Sequence, residues 1–350
     1  MTMGTGDVAH IGVDIGGTKV AAGVVAAEAP TSVYSVEPRP TNAVLGGEVI
    51  MDVVFAQIDA TLALARERGF SVRGIGIGAP GVIDSSTGEV VWSAPHMPGW
   101  QGMPIGELVA ARFNLPVVVD NDVRVMALGE VNYGVGYDAD CIDVADSSSA
   151  TAFLLSLGTG VNGCFITDGD VANAGSGVRS EYGFALCPDV SGRTSFLNNV
   201  GSGLAIEDTV ARALDPDMLY SFGIDPKSIL AFGEIDPTDH AGAWGRAQVP
   251  SLRELMPLMR QGLFGEAYRL FQRSLECVGV GLAGIINMVG ADRIILGGGI
   301  GTLPESYEPL VLGYQQAAMP EFSSVPISVA SLGSAAPVIG AAHLARIRAR

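Results

Sequence analysis

The chain has 350 residues, too many for one small core, and predicts two domains. Hydrophobic residues make up 48% and charged residues 16%, which supports a large core and excludes a disordered chain. The net charge of −17, with no basic stripe, excludes a nucleic-acid partner and requires that any anionic ligand be held locally by amides, a cation or a metal.

The N-terminal "MTMGTGDVAH" has neither a basic segment nor a long apolar run, so a cytoplasmic protein is expected. "VDIGGTKVAAGVV" (13–25) reads as strand, glycine turn, strand. Glycines at 16 and 17 let backbone N–H groups approach a ligand, and Thr18 adds a hydroxyl. Asp14 can serve Mg²⁺, through water. An ordinary hairpin accounts for the same letters. Lys19 is left open between phosphate and solvent. Ile50, Val54, Ile58 and Leu62 recur at helical spacing, and Gly69 follows as a C-terminal cap. "VRGIGIGAPGVID" is a glycine-rich strand entering a loop. Residues 104–113 form a second helix with Ile105, Leu108, Val109 and Phe113 on one face and Pro104 early. "PVVVDNDV" is a short strand with an acidic tip.

A second strand–turn–strand follows in "AFLLSLGTGVNGCFITDGD" and echoes the first. Residues 214–250 are rich in Pro, Gly and Asp and read as an insertion, either a lid or an oligomer contact. A long helix places Ala267, Phe271, Leu275, Val278, Leu282, Ile285 and Val289 on one face; glycines and an asparagine interrupt it, so no membrane span is expected. "DRIILGGGIG" is a strand running into a third glycine turn, and a small-residue helix ends the chain. Four widely spaced cysteines, with no CxxC or CxC, signal neither disulfides nor a thiolate zinc site.

Three glycine turns, each ending an apolar strand, are similar in order to the actin-like ATPase and sugar-kinase superfamily. Within it the chain resembles the ROK family of sugar kinases and repressors. The pieces that carry this are "VDIGGTKVAAGVV", "GIGIGAPGVID", "SAPHMPGWQGMPI", "VVVDNDVRVMALGE", "LGTGVNGCFITDGD", "ADRIILGGGIG" and "GSAAPVIGAAHLA". The resemblance implies an α/β, two-domain actin-like ATPase (ribonuclease H-like) fold with a central interdomain cleft. A small domain would cover 1–122, with the helix 335–350 packed back on it, and a large one 123–334. It implies ATP and Mg²⁺ as cofactors, with the phosphates at Gly16, Gly17, Thr18, Lys19, Gly158, Thr159 and Gly160, and adenosine at Gly297, Gly298 and Gly299. It implies Asp122 as the base for the acceptor hydroxyl, with helix capping as the alternative use. Asn121, Gly81 and Glu181 would bind the sugar. Asp120 is expected to be a solvated strand-end charge and Glu130 a helix-face or interdomain residue. Homodimers are common in this family.

The resemblance breaks in "SEYGFALCPDVSGRTSFLNNVGSG". Zinc-containing relatives carry a histidine where Phe184 stands, and a cysteine cluster of which only Cys187 is present, so no zinc is expected. Asn198 stands at the place of a sugar-binding glutamate. His96, where many relatives have asparagine, is either a substrate contact or a surface residue. Two readings stand: simple loss of zinc from a glucokinase or other hexose kinase, or a changed acceptor such as a C7-cyclitol of valiolone or valienone type, which lacks the hemiacetal. A sugar-sensing regulator or a non-catalytic binding protein is the reading from another class. The early position of the first motif and the acidity count against the regulator.

Overall fold

Apolar alternation and helical spacing become strands and helices close to where they are written. The computed structural model describes residues 7–93, 97–135, 151–172, 181–221 and 251–349. In chain order the first elements are β1 (Val8–Ile15), β2 (Lys19–Ala26), β3 (Ala29–Ser35), β4 (Arg39–Pro40), α1 (Gly47–Glu67), β5 (Ser71–Ala79), β6 (Val82–Asp84), β7 (Glu89–Trp92), α2 (Ile105–Phe113), β8 (Val117–Asn121) and α3 (Asp122–Tyr133). There follow β9 (Thr151–Leu157), β10 (Val161–Thr167), β11 (Asp170–Val171), β12 (Leu186–Pro188), β13 (Thr194–Phe196), α4 (Leu197–Gly201), α5 (Gly203–Ala211), α6 (Pro216–Ser221), α7 (Leu252–Arg260), α8 (Gly265–Val289), β14 (Arg293–Gly297), α9 (Gly298–Gly301), α10 (Pro304–Ala317), β15 (Ile327–Val329) and α11 (Ala336–Arg348). His96 and residues 222–250 of the expected insertion lie outside the described residues.

The chain divides into two units, one within 1–152, 164–179 and 330–350, the other within 153–163 and 180–329. The division expected after residue 122 therefore moves. Helix α3 goes with the first unit because it packs against α11 and β5.

The first unit holds a six-stranded sheet in the order β3-β2-β1-β5-β8, with β4 paired to β2. β1 and β2 are antiparallel across the first glycine turn, while β1–β5 and β5–β8 are parallel. Ile11, Val13, Ile50, Val54, Ile58, Ile75, Ile77 and Trp100 are fully buried in its core. The helix predicted from the spacing of Ile50, Val54, Ile58 and Leu62 is α1, and Gly69, at φ 78°, closes it in the left-handed conformation that glycine adopts freely. In α2, Ile105 and Val109 are buried but Leu108 is exposed, so the apolar face is narrower than expected.

Helix α11 lies with its backbone directly on the sheet and on α3. A Cβ at Gly12 would stand 1.9 Å from the Val338 carbonyl oxygen, and one at Gly76 would stand 1.8 Å from that of Ala341. From α11 itself, a Cβ at Gly340 would stand 1.6 Å from the Val125 carbonyl oxygen. The buried Glu130 carboxylate, an expected helix-face residue, accepts the N–H groups of Ser331 (3.0 Å) and Leu332 (2.8 Å) just before α11.

In the second unit the long helix appears as α8, with the predicted apolar face buried except at Val289, which is exposed near the helix end. β14 and β15 run parallel. Among the described residues, no helix is long and apolar enough to cross a membrane.

Candidate active site

Parallel pairing brings the carboxyl ends of β1, β5 and β8 side by side. Asp14 pairs with Gly78 on β5, and Gly78 pairs with Asp120 on β8. Strand ends of this kind are where open α/β sheets hold ligands. Asp14 and Asp122 are both partly buried there. Burial pushes the Asp14 carboxyl up to about 7; the neighbouring Asp122 charge adds to this, and Lys19 opposes it. Burial pushes Asp122 up to about 6, against the hydrogen bond from the Val123 N–H.

The first glycine turn is braced from inside. Gly16 N–H donates to the Lys19 carbonyl at 2.9 Å. Thr41 Oγ1 donates to the Gly16 carbonyl at 2.6 Å, and the Thr41 N–H donates to the Thr18 carbonyl at 3.0 Å. Thr41 is fully buried, and no motif marks it in the sequence. Gly17, Thr18 and Lys19 are exposed at the tip. A Cβ at Gly17 would meet nothing within 4 Å, and its φ is not in the left-handed region. Neither conformation nor packing within this chain requires glycine at 17, which leaves the space above the turn for a ligand.

The tip of β8 differs from expectation in three ways. The helix cap is Asn121, not Asp122: Asn121 Oδ1 accepts the N–H groups of Val123 (3.0 Å) and Arg124 (3.3 Å). Its Nδ2 donates to the Gly81 carbonyl at 3.0 Å, so this side chain ties a loop to the helix start. Gly81 itself is held at φ 102°, where a Cβ would lie 2.5 Å from the Trp92 carbonyl oxygen. Asp122 is the first helical residue, with Oδ1 accepting Val123 N–H at 2.9 Å. Asp120 is not solvated; it is 1% exposed and paired with Arg124.

In the second unit, "LGTGVNG" is closed by Gly158 N–H donating to the Gly160 carbonyl (2.9 Å) and by Gly203 N–H donating to the Gly158 carbonyl (2.8 Å). Thr159 is exposed at its tip. Asn198 Oδ1 accepts the Val161 N–H at 2.9 Å, so the residue expected to contact the sugar supports this loop. Asn162, which sequence reasoning missed, accepts the N–H groups of Gly163 and Tyr182 and donates to Glu181 Oε2 at 2.9 Å. The N-G pair in the sequence is its only trace, and a turn explains that equally well.

At the third glycine turn Gly297 ends β14, and Gly298, at φ 80°, would place a Cβ 2.3 Å from the Leu157 carbonyl oxygen; the position admits only glycine. At Gly299 a Cβ would meet nothing within 4 Å. Phe184 is 39% exposed, with its ring edge-on to Phe196 at 5.6 Å. Among the described residues no cluster of three or more His, Cys, Asp or Glu could hold a metal ion.

The sequence model of the ROK family matches residues 10–348. The chain is 28% identical to a glucokinase of Streptomyces coelicolor over 351 aligned positions, covering 96% of this chain and 97% of that one. Among solved structures it is similar to a ROK hexokinase from Thermus thermophilus (26% identity, TM-score 0.67, covering 96% of this chain and 97% of that one). It is similar also to a ROK family glucokinase from Streptomyces griseus in complex with glucose and AMPPNP (25% identity, TM-score 0.71, covering 97% and 99%).

Proposed function

Because this chain belongs to the ROK family, we propose that it transfers the γ-phosphoryl group of ATP to the primary hydroxyl of a hexose-like acceptor. Its fold is the actin-like ATPase fold of the ROK hexokinases, and it is a glucokinase-like sugar kinase along nearly its whole length. The observation that carries the finer reading is the convergence of two partly buried carboxylates, Asp14 at the end of β1 and Asp122 just after β8, on either side of β5, with a glycine turn after β1 where a Cβ at Gly17 would meet no protein atom.

Asp122 accepts the proton of the acceptor hydroxyl while the oxygen of that hydroxyl bonds to the γ-phosphorus; the bond from phosphorus to the oxygen bridging the β- and γ-phosphates breaks and ADP leaves. A carboxyl raised to about 6 is still ionised at pH 7 and is a better base than an ordinary aspartate. Each of the first two glycine turns offers backbone N–H groups, and Thr18 and Thr159 hydroxyls, suited to phosphate oxygens. The chemistry at Asp14 fits Mg²⁺: a hard oxygen donor, its charge raised in energy by burial and by Asp122, is relieved by a cation. When bound, Mg²⁺ neutralises charge on the β- and γ-phosphate oxygens.

Gly17→Ala tests the phosphate turn. The KM for ATP rises about tenfold, equivalent to about 1.4 kcal/mol of lost binding, while Tm is unchanged because a methyl there meets no protein atom. A lowered Tm with unchanged KM places the need for glycine in the fold instead.

For the acceptor we favour a carbocyclic C7-cyclitol. Phe184 presents a partly exposed aromatic ring and has no hydrogen-bonding group for an anomeric hydroxyl. Asn198, the other residue aligned with sugar recognition, is engaged by Val161. An ADP-release assay with Mg-ATP and glucose, mannose, N-acetylglucosamine and valiolone- or valienone-type cyclitols decides it. Cyclitol kcat/KM at least about 100-fold above that of glucose is expected. Preference for glucose makes the chain a glucokinase without the zinc segment, and turnover of no acceptor returns it to the regulators.

A further inference from the structure

The residues flanking Asp122 carry a buried ionic arrangement that phosphoryl transfer, as described so far, does not use. Arg124 Nε lies 2.8 Å from Asp120 Oδ1, with the two side chains 11% and 1% exposed. The same Asp120 oxygen accepts the Asn121 N–H at 2.8 Å. Its other oxygen, Oδ2, is buried with no hydrogen-bond donor among the described residues, and the guanidinium of Arg348 stands 3.9 Å from it. Arg348, at the end of α11, donates in turn to Asp170 Oδ1 on β11. Arg124 Nε and Nη2 are both buried and make no hydrogen bond among the described residues, so the contact of Nε with Asp120 is an ion pair without hydrogen-bond alignment.

An ion pair with so many unsatisfied positions is a poor source of stability. Desolvating both charges offsets their attraction, and an apolar pair of similar volume would hold the fold as well. Its placement suggests another use. Asp120 is the second-last residue of β8 and Arg124 lies in the first turn of α3, so the pair spans the strand–helix junction with Asp122 at its middle. One carboxylate grips the backbone at Asn121 and the side chain at Arg124 together. That fixes the first turn of α3 relative to the strand end, and with it the direction of the Asp122 carboxylate.

We infer that Asp120 and Arg124 are positioning residues for phosphoryl transfer, their ion pair aiming Asp122 at the acceptor hydroxyl, with Arg348 anchoring the pair from the C-terminal helix. This rests on the reading of Asp122 as the base. A misplacement of about 1 Å at such a group lowers turnover by about 100-fold.

The test compares Asp120→Asn, Arg124→Met and the double variant with wild type and Asp122→Asn, on the best acceptor of the panel. Each single variant leaves one buried group unpaired, so Tm and kcat both fall. The double variant removes both charges and recovers most of the lost Tm. Its kcat is expected to stay about 10- to 100-fold below wild type, with the KM values for ATP and acceptor within about twofold. A purely structural pair predicts the opposite, and recovery of wild-type kcat together with Tm in the double variant overturns the inference. If Asp122→Asn itself keeps its kcat, the base reading fails and the inference falls with it. If Asp122→Asn is inactive and the double variant is fully active, only the positioning role falls.

Discussion

Asp122→Asn lowers kcat by about 10²- to 10⁴-fold, the range for loss of a general base, and raises Tm in the same protein. The two effects have one cause. Burial lifts the folded-state pKa of Asp122 to about 6, against an ordinary value of 3.8. Between those values the folded chain holds a proton that the unfolded chain releases. Stability contributed by this group is therefore present below pH 4 and lost as pH rises through about 6. At pH 8 the charged, partly buried carboxylate is a net burden, and asparagine removes it. The gain is about 1–2 kcal/mol once solvent access to the side chain is allowed for. Steady-state kinetics and thermal melts at pH 8 check both arms together. The wild-type pH profile is the companion measurement. kcat/KM is expected to fall about tenfold per pH unit below an inflection at about 6, as the base takes up its proton. Retention of kcat within a few-fold in Asp122→Asn would remove the base assignment whatever happened to Tm.

Gly76→Ala unfolds the protein or brings it close to unfolding. The methyl would sit 1.8 Å from the Ala341 carbonyl oxygen and 2.6 Å from its carbon. These are backbone atoms of α11, so no rotamer change relieves the clash; the helix must lift off β1 and β5. Overpacking a core costs about 1–3 kcal/mol when side chains can give way. Here the whole helix must move, and a loss above about 3 kcal/mol is expected, a large share of a typical domain's 5–15 kcal/mol. Urea denaturation of Gly76→Ala beside Gly17→Ala tests this. Both change glycine to alanine, and only the first meets backbone. Equal midpoints for the two would mean that α11 does not rest on the strand as described.

Much of this protein is legible before folding is considered. The burial of Ile50, Val54 and Ile58 follows from their spacing, because a helix of 3.6 residues per turn places them on one face. The closing of α1 at Gly69 follows from the ease with which glycine adopts a positive φ. The glycine turns follow from local chemistry, and their order along the chain identifies the family. Asp120 shows where such reading stops. Beside Asn121 and Asp122 it looks like a solvated strand-end charge, yet it is buried against Arg124 and approached by Arg348. Leu108 fails in the other direction: it completes an apolar face in the sequence but is exposed on α2.

The sequence by itself determined the first hairpin, α1, α2, α8, α11 and the glycine turns, because those choices depend on neighbours within one or two turns of chain. It also determined the chemistry available: carboxylates after strands and glycines at turn tips. Tertiary structure alone decided which of these groups share a site and which are used up elsewhere. Parallel pairing of β1, β5 and β8 aligns Asp14 with the Asp122 junction. The return of α11 onto glycines at 12 and 76 carries Arg348 back to Asp120. The Asn121 amide donates to the Gly81 carbonyl and Asn198 accepts the Val161 N–H, partners that only the fold brings near. Charge compensation and backbone contact act over a few ångströms of space, and chain distance says nothing about which residues will meet there.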